Sequence, residues 1–189
     1  MIIYVHGFRS SGESSKADVL SQHFPDSDVR RPDLPTSPRE AIKLLEELIE
    51  GQSEQTMLVG SSLGGFYSLY LAAKHPLTAV LLNPSLAPWR TLADSVGRHE
   101  RIHSDDTFLW KREYNDALAV YGQEIDTAPS FAHRLHFFLA EDDELLDHSS
   151  VPTHYAEAAT IEYFKDCTHR FTRFLELVPK LKEIYGGLQ

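Results

Sequence analysis

Thr56-Met57-Leu58-Val59-Gly60-Ser61-Ser62-Leu63-Gly64 is the stretch whose reading decides the fold. Its first four residues form a short apolar run, the mark of a strand buried on both faces. From Leu63 the chain reads as a helix as far as His75, where Pro76 stops it. Between the two stands Gly60-Ser61-Ser62-Leu63-Gly64, a G-x-S-x-G pattern. As composition the pattern is weak, because glycine and serine are common residues. Its place between a buried strand and a helix gives it weight. Such a turn holds its serine in a tight, strained bend, and flanking glycines let the strand and helix backbones approach closely. Ser62 is therefore the candidate nucleophile. An inert Gly/Ser-rich turn is the alternative.

Working outward, Ile2-Ile3-Tyr4-Val5 is a second apolar strand, closed by His6-Gly7. Ser14 or Ser15 can cap a helix with Ala17, Leu20 and Phe24 on one face. Asp28-Val29-Arg30-Arg31-Pro32 is a charged strand ending in proline, which suits a sheet edge. Ser37-Pro38-Arg39-Glu40 carries an N-cap, a first-turn proline and a capping-box glutamate. Ile42, Leu45 and Ile49 share the face of the helix that follows, and Gly51 closes it. Strands are expected at residues 79–82, 135–139 and 160–164, with a helix over 149–158 despite Pro152. At the end, Phe171, Phe174, Leu175 and Val178 read as one helical face, restarted at Pro179. Alternation of apolar strands with helices argues for a parallel sheet covered on both faces. The expectation is one domain over residues 1–189. Residues 84–132 break the rhythm. They hold Trp89 and Trp110, and two or three short helices are expected there. The clearest is 114–121, ending at Gly122.

A serine nucleophile needs a base to take its proton and an acid to hold that base. Behind a strand–turn–helix serine the chain order is serine, acid, histidine. Glu141-Asp142-Asp143-Glu144 follows the strand at 135–139, and His169 follows the strand at 160–164. By position alone any of the four acids could serve. His99, His103, His133, His136, His148 and His154 fall in the excursion, on strands or on helices, and read as surface or structural. His6 reads as a buried support for its loop. The loop after the first strand and the residue after the nucleophile would supply the oxyanion-binding N–H groups, from Phe8 and Leu63. Arg9 is an exposed loop residue that could meet an anionic substrate group. Trp89, Phe108 and Trp110 are candidates to line a substrate pocket, or else the core of a lid.

The chain has 189 residues, 42% of them hydrophobic, and a formal net charge of -10. An acidic surface repels nucleic-acid backbones and anionic lipid, so neither is expected as a partner. One cysteine, Cys167, excludes an intrachain disulfide and fits a reducing compartment. No run approaches a membrane span, and the start does not resemble a signal peptide. A cytoplasmic location is expected. No cluster has metal-ligand spacing, so neither metal nor cofactor is expected.

Together these residues resemble the α/β-hydrolase superfamily, and within it the small YqiA/YcfP-like bacterial esterases. The matching pieces are Tyr4-Val5-His6-Gly7-Phe8 with Ser10-Ser11, residues 59–67, Asn83-Pro84, Asp143-Glu144-Leu145-Leu146-Asp147 and His169-Arg170-Phe171-Thr172-Arg173-Phe174. The resemblance implies a triad of Ser62, Asp143 and His169. Relatives usually hold the acid in Gly-Asp-Glu; here Asp142 takes the glycine's place and stays as the alternative acid. It also implies a three-layer fold of about six parallel strands in local order 2-1-3-4-5-6, without the superfamily's first two strands and with a small helical lid. The implied activity is hydrolysis of small esters or thioesters through an acyl-enzyme. Hydrolysis of amide or carbon–carbon bonds, or a non-catalytic binding role, are the rivals, since fold alone does not set function.

Overall fold

The computed structural model describes residues 1–102 and 105–188. His103 therefore lies outside the described residues. In chain order the elements are β1 (Ile2–Val5), α1 (Ser15–His23), β2 (Val29–Arg30), α2 (Pro38–Ile49), β3 (Met57–Ser61), α3 (Leu63–Lys74), β4 (Thr78–Leu82) and α4 (Pro88–Thr91). They continue with β5 (Gly97–Glu100), β6 (Thr107–Trp110), α5 (Arg112–Thr127), β7 (Leu135–Ala140), α6 (Val151–His154), β8 (Thr160–Phe164) and α7 (Val178–Gly186).

Six of the described strands form one parallel sheet in the order β2-β1-β3-β4-β7-β8. Counting sheet strands alone, this is the expected 2-1-3-4-5-6. Successive side chains of a strand face opposite ways, and here both faces are covered. Ile3, Val5, Leu58, Ala79, Leu81, Phe137 and Leu139 pack with α2, α3 and α5. Ile2, Tyr4, Met57, Val59, Val80, Leu82 and Phe138 pack with α1, α7 and the turn at Phe174. Each large side chain so buried contributes about 1.5–3 kcal/mol. That is why the central strands read as unbroken apolar runs. The edge strand β2 is only two residues long and half-buried, as its charge and proline foretold. Among the described residues no helix is long and apolar enough to cross a membrane.

The excursion differs from the expected helical lid. Its outer part is an antiparallel hairpin, β5 with β6. Its helix α5 runs from Arg112 to Thr127 and packs against α2, α3 and α4 as part of the sheet's covering layer. Gly122 does not end α5. A Cβ there would run into the Trp89 ring, so the glycine makes room for an indole between α4 and α5.

Local expectations fail where the structure uses tighter turns. Ser37 precedes α2 but its side chain makes no capping bond, whereas Ser14 does cap α1, accepting from the Ala17 N–H at 3.3 Å. The helix expected over 149–158 shrinks to the single turn α6. Residues 174–177 form a 3₁₀ turn before α7. Three residues per turn rotate Leu175 out to solvent while Phe171, Phe174 and Val178 stay buried.

Candidate active site

Strand β3 ends at Ser61 and α3 begins at Leu63, so Ser62 alone makes the turn. Its φ of 55° and ψ of -118° lie where side-chain-bearing residues are strained, at a cost of roughly 1–3 kcal/mol. Neighbours hold it there. The Ser62 N–H donates to Leu82 O at 3.0 Å, and Ser62 O accepts from Ser85 N at 3.1 Å and Phe66 N at 3.2 Å. A Cβ on Gly60 would meet Gly64 O and Ser68 Oγ, and one on Gly64 would meet Val5 O. The bend closes only because both positions lack a side chain.

His169 reaches this serine from the loop after β8, with its Nε2 3.0 Å from Ser62 Oγ. Its Nδ1 lies 2.9 Å from Asp143 Oδ2 and 3.0 Å from Oδ1. The Asp143 side chain is 2% exposed and sits in the loop after β7. It also accepts from the Leu145 and Leu146 N–H groups, each at 2.9 Å. Burial pushes the carboxyl's pKa up, but the His169 bond, the Leu145 N–H and His148 outweigh it and hold the value below the ordinary one. Asp143 is thus an anion at neutral pH and fixes the tautomer of His169: Nδ1–H donates to the carboxylate, leaving Nε2 to accept from Ser62.

Two of the remaining acids of this loop do other work. Asp142 Oδ2 accepts from the Asp166 N–H at 2.9 Å, and Glu144 Oε2 accepts from the His169 N–H at 2.9 Å. Both fasten the histidine-bearing loop and neither touches the imidazole through a side-chain bond. Two further residues at this site escaped the sequence reading. His148 is buried and places its Nε2 2.8 Å from Asp143 Oδ2, so the carboxylate lies between two imidazoles. Asn83 is fully buried, donates through Nδ2 to Thr168 O and His169 O at 3.1 Å each, and accepts the Ala140 N–H at 2.7 Å. It ties the ends of β4 and β7 to the His169 loop. The strand-end motif Asn83-Pro84 was its only visible signal.

Leu63 is the first residue of α3, so its N–H is one of those a helix leaves without an internal partner. Phe8 lies in the turn after β1, and Gly7 brings that turn close: a Cβ on Gly7 would sit 3.2 Å from Ser62 Cβ. The Phe8 ring is clamped edge-on by Trp110 at 5.0 Å, His99 at 5.1 Å and Phe108 at 5.5 Å. Its side chain therefore positions the turn, which the sequence did not suggest.

A shallow cleft, open to solvent and enclosing only about 30 Å³, has Phe8 and Leu63 in its wall, but not Ser62 or His169. His6, Arg9, Leu34, Tyr67, Arg101, Phe108 and Trp110 are among its walls. His6 is a support as expected, its Nε2 accepting the Leu34 N–H at 3.0 Å. Phe108 and Trp110 thus border the cleft. Trp89 does not: it packs on Phe66, ring centres 6.0 Å apart, and fills the space over Gly122. Among the described residues no group of three or more His, Cys, Asp or Glu side chains could hold a metal ion.

Residues 1–186 match the model of a family described as "Uncharacterised protein family (UPF0227)", and the chain belongs to that family. A UPF0227 protein of Shewanella sp. (strain MR-4) is 26% identical over 193 residues, covering 99% of this chain and all of that one. Among solved structures, Est1E from Butyrivibrio proteoclasticus superposes with a TM-score of 0.71 at 13% identity, over 99% of this chain and 87% of that chain. The monoacylglycerol lipase of Paleococcus ferrophilus gives 0.69 at 16% identity, over 100% and 94%. The fold is that of the α/β-hydrolases, and it resembles esterases and lipases.

Proposed function

We propose that this UPF0227 chain is a serine hydrolase of small carboxylic esters or thioesters, acting through Ser62, His169 and Asp143 as one domain carrying the 84–132 insertion. The observation that carries this reading is the unbroken run Ser62 Oγ–His169 Nε2, His169 Nδ1–Asp143 at 3.0 and 2.9 Å, set on a strained strand–helix turn. In the first half-reaction Ser62 Oγ attacks the carbonyl carbon as its proton passes to His169 Nε2. The oxygen that gains charge is met by the Phe8 and Leu63 N–H groups, each donor of this kind supplying about 10²–10³ in rate. Collapse breaks the bond to the leaving alcohol or thiol, which takes the proton from Nε2. Water then gives a proton to Nε2 and attacks the acyl carbon, and collapse returns the proton to Ser62 Oγ. Asp143 stays ionised throughout and stabilises the transient imidazolium.

A fluorophosphonate probe tests this. The wild-type protein is expected to be labelled and to hydrolyse 4-nitrophenyl butyrate. Ser62→Ala is expected to lose both, with turnover falling by about 10⁴-fold or more. Labelling that survives Ser62→Ala would overturn the assignment.

A further inference from the structure

Two arginines border the cleft, and what they touch sets them apart. Arg9 Nε donates to Glu100 O at 2.9 Å, and Arg101 Nη1 donates to Ser10 O at 2.9 Å. The Ile102 N–H closes the same junction by donating to Arg9 O. The turn after β1 and the hairpin are thereby clipped together, and both guanidinium groups are held at the cleft by backbone carbonyls. Neither pairs with a carboxylate among the described residues, in a chain with 28 acids to 18 lysines and arginines. Arg31, by contrast, is paired with Asp18 and Glu13; Asp33, an acid on the adjoining loop, accepts from the Gly12 N–H at 2.7 Å and keeps its charge.

A guanidinium has five N–H donors. The bonds above use one donor on each arginine. Arg101 also lies over the Phe108 ring at 5.6 Å, which restricts its side chain without neutralising it. Groups already held in place lose less freedom when a ligand arrives, and a planar guanidinium matches a carboxylate or phosphate through paired bonds. The net charge of -10 repels anions in general, so two arginines held beside aromatic walls without a carboxylate ion pair among the described residues mark a place that can receive one anion.

We propose, resting on the serine-hydrolase reading above, that the preferred ester carries an anionic group, a carboxylate or phosphate, bound by Arg101 and Arg9. Its apolar part lies against Phe8, Phe108 and Trp110. The anion can reach the arginines from the acyl side or the alcohol side of the ester, and matched substrate pairs separate the two. On the acyl side, mono-4-nitrophenyl adipate is compared with its neutral methyl ester. On the alcohol side, 4-(butyryloxy)benzoate is compared with its methyl ester. In one pair the wild-type kcat/KM for the anion is expected to exceed that for the neutral partner about tenfold or more, mainly through KM. Arg101→Gln and Arg9→Gln are each expected to shrink that ratio several-fold, and Arg101→Lys to keep part of it. Because the ratio compares two substrates on one protein, a general loss of folding cancels from it. A ratio near one in both pairs, or one that Arg101→Gln leaves intact, overturns the proposal. If Ser62→Ala still turns over the esters, the catalytic reading fails while the ratio still decides this one. If the wild type turns over nothing, calorimetric titration of the protein and its Arg101→Gln variant with mono-4-nitrophenyl adipate decides it instead, equal or absent binding counting against.

Discussion

Asp143 and Asp142 are adjacent acids with opposite surroundings, and the difference is testable. Asp143 is dry, ionised and bonded to two imidazoles, whereas Asp142 is exposed and holds a backbone N–H of the next loop. Asp143→Asn is expected to lower kcat by about 10⁴-fold, because the amide favours the wrong imidazole tautomer. Asp142→Asn keeps an oxygen to accept the Asp166 N–H and is expected to cost less than tenfold; steady-state rates on 4-nitrophenyl butyrate compare the two. His148 gives a third case. Burial lowers its pKa, and its Nδ1 is buried without a hydrogen-bond partner among the described residues, so it is neutral and donates through Nε2 to Asp143. His148→Ala removes one of four donors to the carboxylate. It is expected to slow turnover about tenfold and to shift the acid limb of the kcat–pH profile, a shift that a purely structural loss would not produce. The places of Ser62 and His169 and of the acid-bearing loop could be read from their positions after strands, whereas the choice of Asp143 among the four acids came from the family resemblance. His148 could not be read so, because it reaches Asp143 only through a loop that folds back within five residues, which no periodicity foretells.

At the level of elements, the legible parts were those whose apolar pattern answers to one sheet. The hairpin was not among them. Gly97-Arg98-His99-Glu100 carries little apolar signal, and β5 and β6 are held from outside by the Phe8 ring and by the arginine clips. Gly122 misled for a related reason: near the middle of α5 it looks like a helix stop, yet its purpose is to admit Trp89. On an exposed helix Gly→Ala stabilises by about 1 kcal/mol. Here Gly122→Ala is expected to destabilise by about 1–3 kcal/mol, the usual cost of overpacking. Combined with Trp89→Leu the penalty should largely vanish, giving a coupling energy that urea titration of the four proteins of the cycle measures.

Across the whole molecule, two buried histidines, His6 and His148, and the half-buried His136 set the response to acid. Burial lowers the pKa of His6, His136 and His148 from the ordinary 6.5. Between each folded value and 6.5 the unfolded chain binds more protons, so stability is full above about pH 6.5 and falls as the pH drops below it. Asp143, also lowered, adds a further loss only below its ordinary 3.8. Melting temperatures at pH 8, 6 and 5 are expected to decline in that order. His136→Gln, at the end of the sheet away from Ser62 and with its ring bonded to Thr160 Oγ1, should flatten part of the decline. The backbone is uneven as well. Among the described residues the non-glycine positions with positive φ are Arg9, Ser62, Asn83, Asp166 and Phe171, and all of them follow the carboxyl ends of β1, β3, β4 and β8 around the site. Laboratory selection for heat tolerance would therefore find its easiest gains at this rim, where glycine relieves the bend. Each such gain would loosen a loop that carries a working group, so the hardiest descendants of this chain should also be the slowest.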